Sequence, residues 1–148
     1  MKSKYNKHSF RLCDPAMCED TQPATRGQLE RLLSQRIQAL YRTQLEHKPS
    51  KIDCEICDDK IIIVLDDSFT KAEKLLAENG QEGLAEQVHT ELDEVILPLL
   101  KALIEEVLQI SVLDLLSNAK LETGRSGTIA LLASAPQFRS PASARSAD

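Results

Sequence analysis

The chain has 148 residues, of which 42% are apolar and 28% charged, with a formal net charge of −5. A chain of this length can bury about 68–70% of the surface its unfolded form exposes, so neither a metal nor a disulfide is needed to hold one domain together. The acidic balance and an aromatic content of 3% without tryptophan exclude a basic or stacking surface for nucleic acid.

In chain order, residues 1–24 carry two prolines and no helical or strand period, and they read as a mobile tail. The tail has positive charge but no apolar stretch of signal-peptide length, so the expected location is the cytoplasm, where thiols stay reduced. Thr25 and Gln28 then have the spacing of a capping box. Leu29, Leu32, Leu33, Ile37 and Leu40 follow at helical spacing, and Pro49 marks the end of that helix. Ile52, Cys54 and Ile56 alternate with Asp53, Glu55 and Cys57 as in a strand with one buried face. After a turn at Asp58-Asp59, Lys60 to Leu65 is β-branched and apolar on both faces, so it is predicted to be the more central strand of a hairpin.

Thr70 and Glu73 repeat the capping-box spacing ahead of a short helix that ends at Asn79-Gly80. A longer helix is predicted from Glu82 to Leu108, with Leu84, Val88, Leu92, Val95, Ile96, Leu99 and Leu103 on one stripe. Pro98 predicts a kink or two abutting helices. Beyond it Leu100, Ile104, Val107 and Leu108 fall outside the stripe and need cover either from the sheet and first helix or from a second subunit, and a homodimer interface is the expected cover. No stretch is free enough of polar residues to span a membrane. Two further strands, Ile110 to Leu121 and Thr128 to Ala135, are joined through Gly124 and Gly127. Residues 25–135 thus form the domain, and residues 136–148 a second, disordered tail. The predicted class is α+β: two β-hairpins making a four-stranded antiparallel sheet, with helices packed on one face and the order α-ββ-α-α-ββ.

Charge divides along this order. Residues 25–51 hold six basic against two acidic residues, and residues 52–135 six basic against seventeen acidic. Arg31 and Arg42 share the outer side of the first helix and offer a contact for an acidic partner or anionic head groups. Asp58-Asp59, Asp66-Asp67 and Glu105-Glu106 read as turn-forming or solvated pairs. His8, His47 and His89 have no metal spacing, and no nucleophile elbow or phosphate loop is present, so no catalytic residue, cofactor or enzyme activity is assigned.

Cys54-Glu55-Ile56-Cys57 is a C-x-x-C, with Cys13 and Cys18 upstream. Four thiolates suit tetrahedral zinc, which makes a thiol-based metal or redox module the alternative reading. On a strand, however, positions three apart face opposite ways, which favours one buried and one exposed cysteine.

The runs DDKIIIVLDDSFTKAEKLLAENG, ELDEVILPLLKALIEEVLQISV and SNAKLETGRSGTIALL resemble the MpsC-like domain over roughly Gly27 to Leu132. The family takes its name from a sodium-translocating membrane-potential-generating system. The resemblance implies an accessory or regulatory protein, peripheral to the membrane, whose partner is a component of a membrane-potential or inorganic-carbon transport system. Ser117-Asn118 stands where the family pattern leads one to expect Ser-Asp.

Overall fold

The computed structural model describes residues 23–139. They fall into two units, residues 23–26 with 137–139, and residues 27–136. In the first, Thr25 and Arg139 form an isolated parallel bridge, and the Arg139 N–H donates to the Ala24 carbonyl at 3.0 Å.

The second unit holds the core. Its elements are α1 (Arg26–Leu45), β1 (Lys51–Cys57), β2 (Lys60–Asp66), α2 (Lys71–Glu78), α3 (Glu82–Leu108), β3 (Val112–Lys120) and β4 (Arg125–Leu132). The strands form one antiparallel sheet in the order β1-β2-β4-β3, so the two hairpins join through β2 and β4. This is the predicted order and sheet, with β2 in the interior.

Period-two alternation gives the sheet one buried and one open face. Ile61, Ile63 and Leu65 of β2, and Ser126, Thr128, Ala130 and Leu132 of β4, are buried. Between them Ile62 and Val64 are each 37% exposed and Ile129 is 39% exposed. The apolar residues on both sides of β2 therefore mark its interior position without marking cover on both faces. Leu33, Ile37 and Tyr41 of α1, and Ala85, Ile96, Leu100, Leu103 and Ile104 of α3, complete the core. Arg36 joins the two helices through an ion pair to Glu106 at 2.9 Å.

The stripe read along α3 holds at Ile96 and Leu103 and is displaced by one residue elsewhere. Leu84, Val95 and Leu99 are exposed, while Ala85, Ile96, Leu100 and Leu103 face inward. Leu100 and Ile104, offered above as an interface, are 3% and 0% exposed within this single chain, and Val107 and Leu108 are half-buried. The chain itself covers Leu100 and Ile104, so these two supply no dimer surface. Pro98 sits inside α3 without dividing it into two elements.

At its C-terminus α3 stops on Gln109, whose φ of 57° lies in the left-handed region, with the Gln109 N–H bonded to the Glu105 carbonyl. A side chain with a Cβ is strained there and glycine is not. Gln109→Gly is expected to raise stability by about 0.5–1 kcal/mol, after allowing for the lost side-chain bond to the Glu106 carbonyl, read as a higher urea midpoint at unchanged slope.

Candidate functional site

The most elaborate polar arrangement in the domain begins at the cap of α2. Thr70 has extended backbone angles, and its hydroxyl oxygen accepts from the Glu73 N–H at 3.4 Å. Glu73 replies with Oε1, which accepts from the Thr70 N–H and from the Thr70 hydroxyl, each at 2.7 Å. A capping-box glutamate normally stays at the surface, but Glu73 is 1% exposed. Burial of a charge requires full pairing, and the second oxygen has it: Oε2 lies 2.7 Å from Nδ1 of His89 on α3. Burial alone raises the carboxyl pKa. The His89 hydrogen bond, the two bonds from Thr70 and the His89 charge outweigh it and hold Glu73 below the usual carboxylate range.

His89 is fixed on a second side by Phe69, whose ring is stacked on the imidazole with centroids 4.0 Å apart and planes at 21°. Phe69 is 2% exposed. The neighbouring Ser68 is anchored by its N–H, which donates to the Gly124 carbonyl at 2.8 Å. Tyr41 of α1 is also buried, and burial, together with the charges of Asp93 and Glu73, pushes its hydroxyl pKa well up. Beside this cluster lies a cavity of about 410 Å³, walled by Phe69, His89, Thr90, Asp93, Ser117 and Asn118. The arrangement orients an imidazole and holds its Nδ1 against a carboxylate, leaving Nε2 as the other ring nitrogen of a cavity-lining residue. Ser117 Oγ, on the same wall, accepts from the Thr128 hydroxyl at 3.1 Å.

A second feature lies on the open face of the sheet. The register aligns Ile62 with Ile129 and Ile129 with Leu116, giving an apolar row across three strands. Val64 lies opposite Gly127, whose missing side chain leaves a shallow depression of about 440 Å³ bounded by Ile62, Val64, Leu116, Gly127 and Ile129. Leu116 is 52% exposed.

The residues singled out by the sequence are dispersed. Cys54 pairs in register with Ile63 of the buried face, and Cys57 is exposed and opposite Lys60, so the C-x-x-C is split between the faces. Burial pushes the Cys54 thiol up to about 11, helped by Asp53 and Glu30 and opposed by a hydrogen bond with Ser34. That is the reverse of the depressed pKa that activates a redox cysteine. Cys13, Cys18 and His8 lie outside the described residues. Among the described residues no group of three or more His, Cys, Asp or Glu side chains is placed to hold a metal ion. Arg31 and Arg42 are exposed along α1.

The carboxylate pairs work as separate groups. Asp59 is paired with Lys60, Asp66 with Arg125, Asp67 with Lys74 and Glu106 with Arg36, while Glu105 accepts from the Val112 N–H. His47 Nε2 lies 2.7 Å from the Asp67 carbonyl oxygen. Residue spacing along the chain missed the Glu73–His89 pair because its members belong to different helices. The available signal was the Thr70–Glu73 capping box, together with a histidine on the inward side of α3.

The model of the MpsC family, described as a Na+-translocating membrane potential-generating system, matches residues 25–134. The chain belongs to the MpsC family. The matched region contains α1 to β4, including both the Glu73–His89 pair and the apolar row of the open face. No curated protein and no solved structure matches the chain. Among the described residues of this MpsC domain, no helix is long and apolar enough to cross a membrane.

Proposed function

We propose that this MpsC-family chain is a non-catalytic accessory or regulatory component of a Na+-translocating membrane-potential-generating system, acting by protein–protein contact. Its partner is a membrane-embedded subunit of that system that presents an apolar side chain to the depression beside Gly127. The family membership motivates the system. The observation that supports docking is the row Ile62, Ile129 and Leu116, with Val64, exposed on a sheet face that no other element among the described residues covers. A contiguous apolar group at the centre of a face, with charged residues around it, is the composition of a binding surface. Asp53, Glu55, Lys60 and Asp114 lie on that same face by strand alternation and form a polar rim.

The test is recovery of the system's membrane-embedded subunits from detergent-solubilised membranes by the tagged chain. The wild type is expected to recover them. Ile62→Lys and Ile129→Lys are each expected to lower recovery about tenfold, as removal of a central apolar contact does, with circular dichroism unchanged. A wild type that recovers no such subunit overturns the reading, and so do lysine variants that recover as much as the wild type.

A further inference from the structure

The two edges of the sheet are treated differently. At the β1 edge, the Ile56 N–H is taken by the Glu30 carboxylate of α1 at 2.8 Å. At the β3 edge, among the described residues, α3 takes the first donor, where Glu105 accepts from the Val112 N–H at 2.9 Å. Further along, the Leu115 N–H is bonded to Asp114 Oδ1 and the Ala119 N–H to Asn118 Oδ1, each the side chain of the preceding residue. Those contacts identify the donors that point away from β4. Alternate N–H groups of a strand point to one edge, so Ser117 shares the direction of Leu115 and Ala119. The strand therefore offers an outward row of backbone donors whose acceptors are short-range and exposed.

We infer that this edge pairs with the same edge of a second copy, β3 against β3, antiparallel about a two-fold axis at Ser117. The occupant follows from the strand's own charges. Asp114, Leu116, Asn118 and Lys120 lie on the open side of the sheet, opposite Leu131, Ile129, Gly127 and Arg125 of β4. An antiparallel pair that joins outward donors to outward acceptors must match odd positions with odd ones. Among such registers, the one centred on Ser117 sets Asp114 opposite Lys120 of the partner subunit, and the two-fold repeats that pair. The same register pairs Leu115 with the partner's Ala119, within the regular part of the strand that follows the bulge between Val112 and Asp114. A two-fold axis at Leu116 instead sets Asp114 against Asn118 and leaves Lys120 opposite Val112, so charge selects Ser117. The Lys120 ion pair within the chain, to Glu122 at 4.0 Å with both side chains exposed, is at the limit of contact and does not compete. The product is a continuous eight-stranded sheet, and this inference stands whether or not the open face binds a membrane subunit.

Light scattering on the full-length chain, from about 1 to 100 µM, tests the pairing. A dimer is expected, with slowed hydrogen exchange at the Leu115, Ser117 and Ala119 amides as it forms. Asp114→Lys sets lysine against lysine twice and is expected to weaken the dimer about tenfold or more, as is Lys120→Asp. The charge exchange Asp114→Lys with Lys120→Asp restores the complementary pairs and is expected to return the dissociation constant to within about threefold of wild type. Thermal unfolding of each variant at a concentration where all are monomeric keeps a folding defect distinct from a pairing defect. A wild type that is monomeric throughout overturns the inference. So does a dimer that Asp114→Lys leaves intact, or a double exchange that stays as weak as the single variants.

Discussion

Glu73→Ala is expected to remove about 3 kcal/mol of stability, a large loss for one surface-length side chain. The carboxylate has both oxygens committed, Oε1 to the Thr70 N–H and hydroxyl and Oε2 to His89 Nδ1. Truncation leaves these groups without their acceptor at a position that is 1% exposed, and an orphaned buried donor costs about 1–3 kcal/mol, more where a charge was paired. Glu73→Gln keeps the shape and one acceptor, so it should lose less. The pH dependence has a definite sign. Because the folded-state pKa of Glu73 is depressed, its ionisation contributes stability that is fully present above the unfolded-state value of about 4.3 and is lost as pH falls through the lower folded-state value. The stability difference between wild type and Glu73→Gln should therefore be largest near neutrality and shrink below about pH 4, in urea titrations run across that range. A difference that stays constant from pH 7 to pH 3 would show that the carboxylate is not ionised in the folded state.

Phe69→Ala is expected to cost about 3–5 kcal/mol, the range for truncating a buried phenylalanine. Phe69 connects the end of β2 to the cap of α2 and is 2% exposed. Its loss opens a cavity beside His89 and removes the ring stacked on the face of the imidazole whose Nδ1 meets Glu73. The two effects separate in a double-mutant cycle with His89→Ala. Stacking predicts a coupling of about 0.5–1.5 kcal/mol beyond the additive cost. Additivity within about 0.3 kcal/mol would make Phe69 a filler of volume and nothing more.

Sequence periodicity carried the architecture because strands and helices announce themselves by period. The alternation of Ile52, Cys54 and Ile56, the apolar run of β2 and the Thr70–Glu73 box all stand where they were read. The stripe of α3 was less legible for a physical reason. Counting large apolar residues selects Leu84, Val95 and Leu99, whereas the inward side is carried by Ala85, which is small, and by His89, which is polar. A histidine can occupy an inward position only because a buried carboxylate on another helix meets it, and no local pattern contains that contact. The same counting left Leu100 and Ile104 open to cover by the sheet and first helix or by a second copy, because periodicity does not say which neighbour arrives, and the chain's own cover is what buries them. The open face shows the opposite case: a run of β-branched residues locates an interior strand, yet Ile62 and Val64 remain uncovered.

The register between β2 and β4 also governs how the domain must be made. The sheet closes only when residues 60–65 meet residues 126–131, and α2, α3 and β3 all lie between these segments in the chain. On a ribosome the first hairpin emerges with one side of its most apolar strand unpaired, and it waits for nearly the whole domain before its neighbour arrives. Long-range strand pairing of this kind slows folding, and the waiting edge is the site where aggregation begins. Truncations that end after α3 should therefore yield a chain that collapses and sticks, while the complete order of elements folds as one cooperative unit.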